Sequence, residues 1–438
     1  MPAAQRPSIH GQIWALAAPI VLTNVSVPFL GAVDTAVVGH LPEPYFIGAV
    51  AIGAMLFNYI YHLFNCLRMG TTGPTAQALG AGNHAEVRAI VHRALLLAAA
   101  IGASVVALQV PILSLALWFI DASAEVERHA REYFLIRIWA LPAVLAVFAI
   151  IGWCYGLKDV RSPLFILFFT NGLNIGLDFL FVFGFGWDVA GVASASLIAA
   201  YAGLFLGLYY VRRNLRGLAD DGRRSRIFDP VQVARLISIN GDIILRTFCV
   251  VSVHAIFMAQ SARLGDLTLA ANQVLHNFLV FTSFALDGIA HAAEAILGAQ
   301  VGSRDRKAFE HGMRAVLRWS AVFGVLTVAT YAAFGPLIVA LLTNIPEVRA
   351  SAEAFLLWPI LMPLVSIWAY TYDGIYLVAT RTKIMRNTVV IAFLVFLATL
   401  HLLVPVLGNT GLWIALVTYL GARGLLLHAA VRLVLRAI

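Results

Sequence analysis

The chain has 438 residues, of which 61% are hydrophobic and only 12% charged, with a formal net charge of +8 and a mean hydropathy of +0.87. This balance excludes a soluble globular protein and fits an all-α polytopic membrane protein, because a helix needs about 20 apolar residues to cross the hydrocarbon core and about twelve such windows fit along the sequence. The apolar runs do not alternate as β-barrel strands would, and the basic residues mark one side of a membrane rather than a nucleic-acid surface.

The predicted spans cover about 11–39, 46–69, 86–118, 132–157, 162–184, 188–213, 231–262, 267–299, 308–342, 351–379, 384–406 and 410–436. The first, PIVLTNVSVPFLGAVDTAVVGH from Pro19 to His40, carries a single carboxylate, Asp34. A charge at such depth costs roughly 2.5–3.5 kcal/mol on insertion scales, so an intramembrane acid reads by default as an ion or substrate site. Pro19 and Pro28 give this span places to bend, since each removes a ladder hydrogen bond. The residues ahead of it, MPAAQRPSIHG, lack a signal-peptide pattern, so the span is expected to be retained.

In the fifth span, TNGLNIGLDFLFVF places Asn174 and Asp178 four residues apart on one helical face. At 1.5 Å per residue, Asp34 and Asp178 both lie about 9 Å inside the outer ends of their spans, and Ser194 and Ser196 enter the sixth span to a similar level. Two carboxylates, an amide and a hydroxyl at one depth suit a shared proton or a Na⁺ ion held by oxygen ligands. Asp34, Asn174, Asp178 and Ser196 are therefore the candidate cation site, with Na⁺ at Asp34, Asn174 and Asp178 as the possible metal.

The longest polar stretch, RRNLRGLADDGRRSRIFDP at 212–230, reads as a cytoplasmic linker between an N-terminal lobe, 1–211, and a C-terminal lobe, 231–438. The halves look like copies: GAVAIGAMLF from Gly48 lies over AANQVLHNFL from Ala270 at an offset of 222, and Ala190-Gly191 over Thr410-Gly411 at 220. Six spans per half gives copies of the same orientation around a central cleft, an alternating-access arrangement. At an offset of 220, Asn174 and Asp178 fall opposite Leu394 and Ala398, and Asp34 falls opposite apolar residues near Ile256 and Phe257. The polar cluster therefore belongs to the first copy alone.

The second half carries its own charges: Asp242 and Arg246 as an i,i+4 pair on the seventh span, Asp287 and Glu294 on the eighth, and Asp373 on the tenth. Four acids against one arginine would leave excess negative charge, so this set is either a paired network or a second coupling site. His254, His276 and His291, like Cys66, Cys154 and Cys249, read as packing residues rather than ligands. Arg128, Arg131, Arg137, Arg263 and Arg349 are assigned to the outer side and most other Lys and Arg to the inner, which places both termini in the cytoplasm of a cell whose inner membrane the protein spans. The sequence has no GxxxxGK[ST], HExxH or paired Asp-rich loops, which argues against an enzyme.

With those residues in place, the chain resembles the multidrug and toxic compound extrusion (MATE) family, especially its DinF-like branch. The likeness rests on Pro19 and VDTAVVGHL, MGTTGPTAQALGAGN after the second span, NGLNIGLDF with GVASAS, and, in the second half, NGDIILRT, LAANQ, ALDGIAHAAEA and YDGIYLVATRT. It implies two six-helix bundles around a central cavity and export of organic compounds driven by inward H⁺ or Na⁺, with no cofactor. It also implies that Asp34, Asn174, Asp178 and Ser196 form the first-lobe cation site, with bending near Pro19 on protonation, whereas other branches place the site in the second lobe, where Asp373 lies. One departure is GAQVGSRD in the second half where GQALGAGD is usual, expected to lie in a cytoplasmic loop. Small organic substrates and the lipid bilayer are the expected partners, with no nucleic acid, and a monomer suffices because one chain holds both lobes. The alternative within transport is a flippase for lipid-linked oligosaccharide or peptidoglycan precursors.

Overall fold

The computed structural model describes residues 9–20, 44–119, 123–218 and 227–436, and every regular element among them is helical. Helix α1 covers 9–20. The first half continues with α2 Pro44–Phe64, α3 Cys66–Gly80, α4 His84–Ala107, α5 Gln109–Phe119, α6 Ala124–Arg137, α7 Leu141–Gly156, α8 Arg161–Phe179 and α9 Asp188–Gly217. The second half holds α10 Pro230–Arg263, α11 Asp266–Gly302, α12 Arg306–Leu342, α13 Pro346–Phe355, α14 Leu357–Val378, α15 Thr382–Leu407 and α16 Asn409–Leu435.

Ten helices among the described residues are long and apolar enough to cross a membrane, or eleven when α13 and α14, bent by 46°, count as one span. The first predicted span falls within the described residues only up to residue 20. Large apolar side chains stand exposed along the helices, among them Phe165, Phe168 and Phe169 on α8 and Leu402 and Val406 on α15. An outward apolar surface of this kind matches hydrocarbon rather than water.

By contacts the described residues form two units, one of 44–218 with 227–240, the other of 9–20 with 241–436. In the first, α7 packs against α3, α4 and α9, and α8 against α9. Its buried Trp153 donates to the Val87 carbonyl at 2.9 Å. In the second, α14 packs against α11, α12 and α16. Phe257 and Trp413 meet edge-to-face at 5.0 Å in that core, and the Asn272 side chain ties α10 to α16 through Ser261 and Asn409, both at 2.7 Å. Helix α1 joins this unit through Trp14, edge-to-face with Trp319 at 5.2 Å.

The repeat is written in the backbone. Two helix ends in each half close with a left-handed residue, and the pairs are 222 residues apart: Gly82 (φ +65°) with Arg304 (φ +56°), and Lys158 (φ +63°) with Thr380 (φ +52°). Each makes the two backward hydrogen bonds of a Schellman end, as in Asn83 N to Ala78 O and Gly82 N to Leu79 O, against Asp305 N to Gln300 O and Arg304 N to Val301 O. Asn83 and Asp305 then cap the following helices, accepting from Glu86 N at 3.0 Å and Ala308 N at 2.9 Å. Close crossings repeat as well: a Cβ on Gly152 would lie 2.2 Å from the Arg68 carbonyl, and one on Gly374, 222 residues on, 3.2 Å from that of Ala290.

Two signature stretches expected outside the spans are helical instead. Residues 69–80 belong to α3, where the Thr71 and Thr72 hydroxyls donate back to the Leu67 and Arg68 carbonyls at 2.7 and 3.0 Å and Thr71, Thr72 and Thr75 are buried. Internal satisfaction of the Thr71 and Thr72 hydroxyls lets a polar sequence pack rather than form a loop. Likewise GAQVG completes α11 through Gly302, and only the turn Ser303–Asp305 lies outside it. The departure from GQALGAGD thus acquires a meaning: Arg304 stands where the usual signature has its second-last residue, glycine, in a left-handed conformation that costs an L side chain roughly 1–2 kcal/mol. Arg304→Gly is expected to raise stability by about 1 kcal/mol, read as a higher melting temperature in detergent.

Candidate coupling site

The first unit builds its polar site on α8. One buried line runs through Pro163, Ile166, Asn174 and Asp178, with Asn174 3% exposed and Asp178 fully buried. The same positions recur on α15, 222 residues on, as buried Met385, Thr388, Phe396 and Leu400. The counterparts of Asn174 and Asp178 are therefore Phe396 and Leu400, not Leu394 and Ala398, whose places on α15 are exposed. The offset falls to 220 only beyond the π-helical turn that ends α8, Leu180–Gly184, in the connection 185–187, where the second copy has the single Gly408 between α15 and α16. Phe396 and Leu400 belong to the hydrophobic core of their unit. The fold thus accepts apolar side chains where the first copy buries an amide and a carboxylate.

Ser196 lies on α9, which packs against α8, and is half-buried. Its hydroxyl oxygen and the Asn174 Nδ2 are shut off from solvent with no hydrogen-bond partner among the described residues. The Nδ2 of Asn171 is in the same condition. Sequence reading passed over Asn171, although its i, i+3, i+7 spacing with Asn174 and Asp178 was there to be read. Just beyond Asp178 the π-helical turn closes with Phe185 N to Leu180 O at 3.1 Å, and Phe181, Phe185 and Trp187 pack together, centroids 5.2–5.8 Å apart. Such turns are rare and recur at functional sites. Pro19 lies on α1, whereas Asp34 lies outside the described residues.

The second unit differs from expectation. Asp242 and Arg246, one turn apart on α10, are not partners: Asp242 accepts from Thr382 and Arg386, both at 2.7 Å. Arg246 instead donates to Asp373 Oδ2 on α14, and the same oxygen accepts from Arg423 on α16. Counting one membrane arginine against four acids undercounted the bases, because Arg423 is itself 0% exposed and Arg386 reaches in from the start of α15. Glu294, 1% exposed, faces His291 at 3.1 Å, and His254 and His276 contact each other at 3.1 Å. Asp287 is half-buried on α11. Among the described residues no three His, Cys, Asp or Glu side chains are gathered as a metal site, and the three cysteines are free and buried.

Comparison with known proteins settles the family. The MatE family model matches residues 19–180 and 243–402, one segment in each half of the repeat. The chain belongs to the MATE family. It is 39% identical over 95% of its length to DNA damage-inducible protein F of Escherichia coli, covering 91% of that protein. It is 26% identical to the multidrug resistance protein NorM of Vibrio cholerae, over 67% of this chain and 65% of that one. In structure it matches a crystal structure of the Vibrio cholerae MATE transporter VcmN with a TM-score of 0.85 at 18% identity, covering 98% of each chain. The twelve-helix MATE fold with its internal repeat accounts for the helices described above, and the protein is a membrane transporter, not an enzyme.

Proposed function

We propose that this MATE protein is a secondary antiporter that exports amphipathic or cationic organic compounds in exchange for H⁺ or Na⁺, with Asp34, Asn174, Asp178 and Ser196 as its coupling site. The observation that carries the reading is Asp178: a fully buried carboxylate beside a buried amide, at helix positions the second copy fills with Phe396 and Leu400. Burying an acid where the fold takes a core residue is unfavourable, so its retention calls for a function. An incoming H⁺ neutralises the carboxylate, or Na⁺ is held by carboxylate, amide and hydroxyl oxygens. Either one removes the charge that attracts a cationic substrate and favours its release to the outside. The two copies, taken as lobes 1–211 and 231–438 joined by 212–230, then exchange access, with the first span bending near Pro19.

On this reading the protein lies in the bacterial inner membrane with both termini cytoplasmic and works as a monomer. The test is efflux of a fluorescent cation from proteoliposomes under an imposed pH gradient or an imposed Na⁺ gradient. Acceleration by one gradient, abolished in Asp34→Asn at equal protein, is the expected result and identifies the ion. Asp34→Asn that responds to the gradient as wild type does would overturn the assignment.

A further inference from the structure

The charged cluster of the second unit has no place in the cycle proposed above. Arg246, Asp373 and Arg423 come from three helices, α10, α14 and α16, and converge on one oxygen, Asp373 Oδ2. Two guanidinium groups against one carboxylate leave one positive charge in excess. Neither arginine pairs with another acid among the described residues: Asp242 is held by Arg386 and Glu294 faces His291. The hydrogen-bonding capacity is also unspent. Asp373 Oδ1 and the Nε groups of both arginines are buried without partners among the described residues.

A cation would meet net repulsion here, so Asp373 is poorly suited to hold one. A structural ion pair needs one arginine; a second, buried and with donors to spare, is the chemistry of a receptor for a planar anion. Aromatic rings complete it. The Arg423 guanidinium lies over Tyr370 and Tyr419, 5.7 and 5.6 Å from their centroids, and is held there by cation–π contacts. Access is graded: the Arg246 side chain is 13% exposed against 1% for Arg423, so Arg246 is the member that an incoming group would meet.

We infer that the Arg246–Asp373–Arg423 triad is a binding site for the carboxylate or sulfonate of an amphipathic organic acid, one arginine leaving Asp373 to receive it. Naming that acid as cargo rests on the transport function proposed above; the binding itself does not. The substrate range would then include organic anions and zwitterions beside cations.

The test uses the full chain purified in detergent and two probes that share one aromatic body, dansylglycine as the anion and dansylcadaverine as the cation, titrated by fluorescence. Arg246→Gln is expected to weaken dansylglycine by about tenfold, the loss of one charge-assisted donor, and to leave dansylcadaverine unweakened. Asp373→Asn shifts the charge the other way, so it is expected to tighten dansylglycine, and the probe should raise its melting temperature more than that of wild type. A merely structural triad would show neither the opposite signs nor the preference between probes. If Asp373→Asn does not fold, the Arg246→Gln titrations decide alone. An unchanged dansylglycine affinity in Arg246→Gln overturns the inference. So does displacement of dansylglycine by phosphatidylglycerol at concentrations that leave dansylcadaverine bound, which would give the site to a lipid headgroup. Equilibrium binding is blind to gradient coupling, so this inference and the antiport reading fail separately.

Discussion

Asp373→Ala is expected to destabilise the protein by about 3–5 kcal/mol, the cost of stranding a buried charge, and to do so more than removal of either arginine it binds. The asymmetry follows from the count of charges. Without Asp373, Arg246 and Arg423 face each other with no counter-ion, and Arg423 is 0% exposed. Without Arg246, Asp373 keeps Arg423, no charge is orphaned, and the loss is that of one charged hydrogen bond, about 1.5–3 kcal/mol. Thermal unfolding in detergent orders the variants: Asp373→Ala lowest, Arg246→Ala between it and wild type. An Arg246→Ala protein less stable than Asp373→Ala would show that the arginine, not the acid, holds the cluster together.

Asp178→Asn should lower gradient-driven efflux by at least about tenfold, while its stability stays at or above that of wild type, since a neutral isostere relieves the cost of a buried charge. The opposed directions separate coupling from folding. Asp178 lies on the buried face of α8 with Asn174, and the fold tolerates uncharged side chains there, as Phe396 and Leu400 on α15 demonstrate. A structural role predicts the reverse: a less stable variant whose surviving molecules still transport. Melting temperature and efflux per correctly inserted protein, measured on one preparation, distinguish the two.

Much of this architecture was legible in hydropathy. Most span limits from the third to the twelfth fell close to the helices because apolar runs and polar breaks are dictated by the bilayer, although α6 starts at Ala124, ahead of the fourth span's expected start at 132, because its first turns are charged. The misjudged ends share a physical origin: in MGTTGPTAQALG and GAQVG, small and hydroxylated residues pack helix against helix, as at Gly152 over the Arg68 carbonyl, so a low hydropathy conceals a buried helix. The repeat was readable but its offset slipped, because the connection 185–187 is longer than its counterpart, the single Gly408, a difference that no hydropathy plot marks. Asn174 and Asp178 were found because apolar surroundings isolate them. The partners of Asp242 and Asp373 were not, because Thr382, Arg386 and Arg423 arrive from helices distant in sequence, and an i,i+4 spacing shows only that two residues can meet.

The most direct test of the coupling site compares two fluxes in the same proteoliposomes of Asp178→Asn: efflux of a fluorescent cation under an imposed ion gradient, and its exchange with equal substrate on both sides and no gradient. Exchange needs the substrate site and the change of access, while acceleration by the gradient needs the coupled ion as well. The variant is predicted to retain exchange and to gain nothing from the gradient. A variant that the gradient accelerates as strongly as wild type would contradict the account and remove Asp178 from the coupling site.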